Sequence, residues 1–277
     1  TSCKCANPLQ PTHRHGHKTW TEAHRDNIQF AKNNIPKKSP FRELDVVFLG
    51  DSITEGWRGT SFGQIADKKQ ENVKVFEDLF DMDSGGEYDG LALGIAGDKN
   101  PNLLWRLQHG EMPRNLKSKV FWVLIGTNDF LRENHCSEEV VLMGIERVIE
   151  ELLHMRPSST IVVNGLLPRA LDLDSPTVGN GSGQLYREGE KTVMDAIDIV
   201  NRHLEEFCSS RDDLEYFDAT DLFVDEDRRL GKGRYSKFIP SELMDDHLHP
   251  TTLGYRKWGN KIVDELRRIL DGQLTVE

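Results

Sequence analysis

Cysteine is scarce in this chain: 277 residues hold four, at positions 3, 5, 136 and 208. That is too few and too scattered for a disulfide framework to stand in for a hydrophobic core. Free thiols or one bridge are expected; Cys3 and Cys5 are spaced like a fragment of a metal or redox motif that nothing downstream completes. Long apolar runs are missing as well. The longest, such as VFWVLIG at 120–126, is far shorter than the ~20 residues a helix needs to cross a bilayer, so no membrane span is expected. Positive charge is in deficit, 35 Lys and Arg against 46 Asp and Glu, for a net charge of −11. No basic patch stands out, which disfavours nucleic acid or another polyanion as a partner. There is no internal repeat.

What is present suits one large α/β domain over residues 20–277. The first 19 residues are polar, with Pro8, Pro11 and the run HRHGH. Histidines 13, 15 and 17 alternate as metal ligands sometimes do, but the composition points to a disordered tail. The chain starts at Thr1 rather than Met, so a targeting segment cannot be read; the compartment stays open, a secreted or lumenal setting being favoured over the cytoplasm. Asn180-Gly181-Ser182 is a glycosylation acceptor pattern in the Gly-rich stretch 171–184, which reads as a loop.

From Trp20 to Lys32 the pattern is helical, and Pro36 and Pro40 end it. Five short apolar or β-branched segments follow, at 44–50, 88–95, 119–126, 160–167 and 214–219. Their near-continuous apolarity marks strands buried on both faces, as in a parallel sheet. Helical stretches lie between them, near 62–80, 101–109, 138–155 and 187–208, with a last one at 252–270. Alternation of this kind gives an α/β fold, a three-layer α/β/α sandwich. Trp105, Trp122 and Trp258 read as core packing, and DEDRR at 225–229 as solvated surface.

In such a sheet the carboxyl ends of the strands form the functional edge. The first strand ends in Gly50-Asp51-Ser52, the second runs into Gly97-Asp98, the third ends in Gly126-Thr127-Asn128-Asp129 and the fourth in GLLPR at 165–169. Small residues that let a main-chain N–H approach closely, together with a side-chain amide, are what an oxyanion hole uses. A serine among them is then more than a helix cap, although Asn128-Asp129 alone would also suit an Asx turn. A nucleophilic serine needs a base and a group to orient it. DDHLHP at 245–250 offers both: Pro250 disfavours helix for His249, and a turn brings Asp246 to its imidazole. His247 is the rival base and ranks below His249.

These residues resemble a known family. GDSIT at 50–54, AGD at 96–98, GTND at 126–129 and DHLH at 246–249 look like the four blocks of the SGNH, or GDSL, hydrolases, in the right order and at strand ends. Between the blocks, LLWRLQHGEM at 103–112, GLLPR at 165–169 and WTEAHRDNIQF at 20–30 look similar to the catalytic α subunits of type Ib platelet-activating-factor acetylhydrolases.

The resemblance implies a flavodoxin-like, five-stranded parallel sheet and an esterase that needs no metal or other cofactor. It implies Ser52 as nucleophile, His249 as base and Asp246 as its orienter. The oxyanion hole would comprise the Ser52 and Gly97 N–H groups and the Asn128 side chain, and Ile53, Thr127 and Leu248 would line a pocket for a short acyl group such as acetyl. The substrate would be a small-molecule, lipid or sugar ester, and a homodimer is compatible with the family. The alternatives are an acyltransferase and a catalytically decayed lipid- or carbohydrate-binding module on the same fold. A phosphate or nucleotide binder would want a Gly-rich cradle, which LGDSITEGW does not offer.

Overall fold

The computed structural model describes residues 5–33, 43–130, 136–170, 185, 192–227 and 236–274. The segment 171–184 with Asn180 lies outside them, as do residues 187–191 and 228–229.

The five expected strands form one parallel sheet. In chain order they are β1 (Leu44–Gly50), β4 (Gly90–Gly94), β5 (Ser118–Leu124), β6 (Thr160–Asn164) and β7 (Leu214–Phe217). Their spatial order is β4-β1-β5-β6-β7, the doubly wound arrangement that reverses direction beside its first strand. Val46, Val47, Leu49, Val120, Phe121, Ile161 and Val162 are all fully buried, which is why these runs show no polar alternation. Gly50 is level with Gly94 on one side and Leu124 on the other. The three loops that follow β1, β4 and β5 therefore leave the sheet at the same height.

Helices cover both faces. α3 (Gln70–Phe80) packs on α7 (Thr252–Leu274), while α4 (Asn100–Arg106), α5 (Glu138–Met155) and α6 (Val193–Ser209) pack in succession. α1 (Lys18–Asn33) lies against β4 and the turn at 107–111. Trp122 and Trp258 are buried and both indole N–H groups donate to Asn164 Oδ1, at 2.9 and 3.3 Å, so this deep pair keeps its polar ends satisfied.

Two expectations are corrected. The helix read over 62–80 begins only at Gln70, because residues 60–65 form a hairpin of β2 (Thr60–Ser61) and β3 (Gln64–Ile65). Its two turn residues, Phe62 and Gly63, have φ of 51° and 74°, the left-handed pair of a tight hairpin. What holds them is Glu55, in the helix α2 (Ser52–Gly56), whose carboxylate accepts from Phe62 N–H at 3.0 Å, Gly63 N–H at 2.7 Å and Thr60 Oγ1 at 3.0 Å. Local helix preference loses to three hydrogen bonds on a buried charge.

The second correction concerns the polar tail, which from residue 5 onward is an ordered arm laid on the domain. Cys5 is disulfide-bonded to Cys136 across 131 residues, a closure that on chain-entropy grounds is worth about 5 kcal/mol. Thr12 N–H donates to Pro101 O at 2.8 Å and Asn102 Nδ2 to Thr12 O at 2.9 Å. The His13 ring lies edge-on to Trp20 and Trp105, with centroids 4.9 and 4.6 Å away, and His17 stacks on Phe62 at 4.8 Å. A polar composition that cannot build a core of its own is ordered here by aromatic partners on the domain.

Candidate active site

β1 delivers its last residue into a short helix, and the residue that caps it is Asp51, not Ser52. Asp51 is fully buried and its carboxylate accepts from Ile53 N–H at 2.9 Å. Ser52 is thereby the first helical residue, and its hydroxyl has another partner: Ser52 Oγ is 2.8 Å from His249 Nε2.

The imidazole is presented by a turn that the sequence DDHLHP builds for itself. Met244 O accepts from His247 N–H at 3.1 Å, and His247 adopts φ of 57°, a left-handed conformation that reverses the chain. Asp246 then curls over its own turn, with Oδ1 accepting from Leu248 N–H at 3.0 Å and His249 N–H at 2.7 Å. Its other oxygen, Oδ2, is 2.6 Å from His249 Nδ1. Burial works against the Asp246 charge, but the hydrogen bonds from the His249 ring and main chain and from Leu248 outweigh it, and its pKa is drawn down to about 2. An ionised Asp246 accepts a hydrogen bond from Nδ1–H, a tautomer that leaves the Nε2 lone pair facing the serine. His247, the rival base, serves the turn with its main chain, and its carbonyl accepts from Ala170 N–H at 3.1 Å.

The loops after β4 and β5 complete the setting. Gly97 has φ of 72° and Gly126 φ of 123°, both in the region that favours glycine. Among the described residues neither Ser52 N–H nor Gly97 N–H is given to a protein acceptor. Asn128 Nδ2 donates to Asp98 O at 2.9 Å and reaches Asp51 Oδ2 at 3.3 Å. Ile53, Thr127 and Leu248 are buried chain neighbours of Ser52, Asn128 and His249.

A model of the GDSL-like lipase/acylhydrolase family matches residues 48–257, a span that takes in every loop just described. The chain belongs to this family. It is accordingly a carboxylic ester hydrolase. The platelet-activating factor acetylhydrolase IB subunit alpha2 of Bos taurus is 30% identical to it over 230 residues, covering 83% of this chain and 79% of the bovine one. Among solved structures, a GDSL-like lipase of Bacteroides thetaiotaomicron superposes with a TM-score of 0.60 at 18% identity, covering 90% of this chain and 99% of that one. An acetylxylan esterase of Geobacillus stearothermophilus does so with a TM-score of 0.51 at 16% identity, over 80% and 94% of the two chains.

Several residues that brace the family's loops in this chain were not singled out by sequence reasoning. Arg169, buried at the end of the fourth strand's loop, donates from Nη1 to Thr127 O at 2.7 Å and to Thr127 Oγ1 at 3.2 Å. Burial lowers its pKa to about 10 against the pull of Asp51 and Asp246. Tyr255, on α7, donates to Ile53 O at 2.6 Å and ties the serine's helix to the last helix. Glu55 links the hairpin to the β4 loop, since its Oε2 also accepts from Ala96 N–H at 2.7 Å. Glu55 had a local signal, an acid one turn after the serine. Arg169 closed the GLLPR segment read as a strand end but had no sign of its partner, and Tyr255 had no signal.

Behind the site, burial raises the pKa of Asp51 to about 6 and that of Asp129 to about 7. A carboxyl whose folded-state pKa lies above its unfolded one holds more protons when folded, so its contribution to stability is complete below about pH 4 and fades as pH rises through the folded value. Replacing Asp129 by the neutral Asp129→Asn removes that dependence. Between pH 4 and 7 the melting temperature of the wild type is expected to fall by roughly 5 °C relative to the variant. A constant difference across that range would show that Asp129 titrates normally.

Proposed function

We propose that this chain is a serine esterase that releases short acyl groups of the acetyl type through an acyl-enzyme on Ser52. The observation that carries the reading is the continuous line from Ser52 Oγ to His249 Nε2, 2.8 Å, and from His249 Nδ1 to Asp246, 2.6 Å. His249 takes the hydroxyl proton as Ser52 attacks the ester carbonyl, while Asp246 holds the imidazolium that forms. The carbonyl oxygen, now negative, is met by the N–H groups of Ser52 and Gly97 and by the Asn128 amide. Collapse of the tetrahedral intermediate breaks the ester bond, with His249 returning the proton to the leaving alcohol. Water, deprotonated by His249, then repeats the attack and frees the acid. The names of two relatives, an acetylhydrolase subunit and an acetylxylan esterase, support acetyl as the acyl group. So does the placement of buried Ile53, Thr127 and Leu248 beside the reacting residues.

The test is hydrolysis of p-nitrophenyl acetate, butyrate and octanoate by the purified chain. kcat/KM is expected to fall as the acyl chain lengthens, and octanoate turning over as fast as acetate would rule out a short-acyl pocket. Asn128→Ala is expected to lower kcat about 100- to 1000-fold with KM little changed. A variant as fast as the wild type would remove Asn128 from the oxyanion hole.

A further inference from the structure

The four family blocks leave Arg14 out, yet it sits on one of them. The ordered arm runs over the β4 loop and places the Arg14 guanidinium, about a quarter exposed, against the turn that carries Gly97. Nη1 donates to Ala96 O at 2.8 Å and lies 3.5 Å from Asp98 Oδ1. A Cβ added to Gly97 would stand 3.3 Å from Arg14 Nη1 and 3.4 Å from Nη2, so the guanidinium runs along the open side of that glycine. Its carbon lies 5.5 Å from the centre of the Phe62 ring.

Ala96 C=O and Gly97 N–H belong to one planar trans peptide unit and point in opposite directions. Whatever fixes the carbonyl therefore aims the N–H. In this chain the Ala96 residue is held from both ends, its own N–H by Glu55 at 2.7 Å and its carbonyl by Arg14 at 2.8 Å. A charged donor on the carbonyl also polarises the peptide and makes its N–H a stronger donor. The need for such a clamp is evident in the backbone: a glycine at φ of 72° resists peptide rotation less than any other residue.

We infer that Arg14 is a positioning residue for ester hydrolysis, orienting and polarising the Ala96–Gly97 peptide so that its N–H faces the developing oxyanion. The inference rests on the proposed role of Gly97 and extends it to a residue supplied by the N-terminal arm. The arm is suited to the task because it is already ordered. The Cys5–Cys136 bridge and the hydrogen bonds of Thr12 to Pro101 and Asn102 hold it on the domain, so little freedom is lost at the moment of reaction.

The experiment uses the full chain with its disulfide intact and p-nitrophenyl acetate as substrate. Arg14→Ala is expected to lower kcat about 10- to 100-fold, by analogy with the range found when the hydrogen-bond partner of a metal-bound ligand is removed, with KM within about twofold and an active-site titre equal to that of the wild type. Arg14→Lys, which keeps a cationic N–H donor, should recover most of the loss. Dithiothreitol, which converts the bridge to two thiols and is itself oxidised to its cyclic disulfide, should lower kcat of the wild type and add little to Arg14→Ala, since both act through the arm. An Arg14→Ala enzyme with wild-type kcat overturns the inference. So does a loss that Lys does not repair and that is matched by a fall in titre, because that is a folding defect. Turnover retained by Ser52→Ala would overturn the esterase reading itself and this inference with it, whereas an inactive Ser52→Ala beside an unaffected Arg14→Ala would sink the inference alone.

Discussion

Ser52→Ala is expected to lower kcat for p-nitrophenyl acetate by about a millionfold, the scale found when the nucleophile of a serine triad is removed. In the proposed mechanism the alcohol is not an aid to the reaction but its first reactant, which is why the effect is this large: without Oγ no acyl-enzyme would form and His249 would have no proton to take. The fold should survive, because the helix cap belongs to Asp51 and the Ser52 side chain contacts His249 rather than the core. Melting temperatures of the two proteins should therefore agree within a few degrees, and a serine-reactive phosphonate should label the wild type at one site and the variant at none. Residual activity above about a hundredth of the wild type would mean that another group attacks the ester.

Asp246→Asn is expected to cost about 10⁴-fold in kcat, the effect of the corresponding change in a serine protease triad. Asp246 has two tasks on separate oxygens. Oδ1 closes the turn by accepting from Leu248 and His249 N–H, while Oδ2 accepts from His249 Nδ1. Asparagine keeps an oxygen for the turn and puts an NH2 group where Oδ2 was. That group donates to Nδ1, which drives the imidazole proton to Nε2 and leaves no lone pair there to take the proton of Ser52. The loop stays in place and the base is lost. Asp246→Ala removes both tasks, so it should be as inactive and also melt lower. If Asp246→Asn retained more than a tenth of the wild-type kcat, another group would be orienting His249.

Much of this was legible in the sequence, and what was not follows a pattern. The strands were readable because burial on both faces leaves an unbroken apolar signature, and reactive residues that follow such runs necessarily gather at one edge. DDHLHP was readable because its proline and its i, i+3 pairing are local. The hairpin at 60–65 was not, since it depends on the Glu55 carboxylate rather than on its own residues. The arm was illegible for the same reason on a longer scale. Cys5 finds its partner 131 residues away, and Thr12 and Arg14 meet main-chain groups more than 80 residues along the chain. An arginine in a loop carries no local sign of which carbonyl it will bind, and so Arg14 and Arg169 emerged only from the fold. The reading of the serine as a helix cap falls to a neighbour, Asp51, that takes the capping bond.

The bridge between Cys5 and Cys136 has one more consequence. It makes a covalent ring of the first half of the protein, and that ring contains Ser52, Gly97 and Asn128, while Asp246 and His249 hang outside it on the open half of the chain. The two groups of residues thus answer to different constraints: a single cut between residues 5 and 136 leaves the pieces that carry Ser52, Gly97 and Asn128 covalently joined, whereas a single cut between residues 136 and 246 leaves Asp246 and His249 with no covalent tie to them.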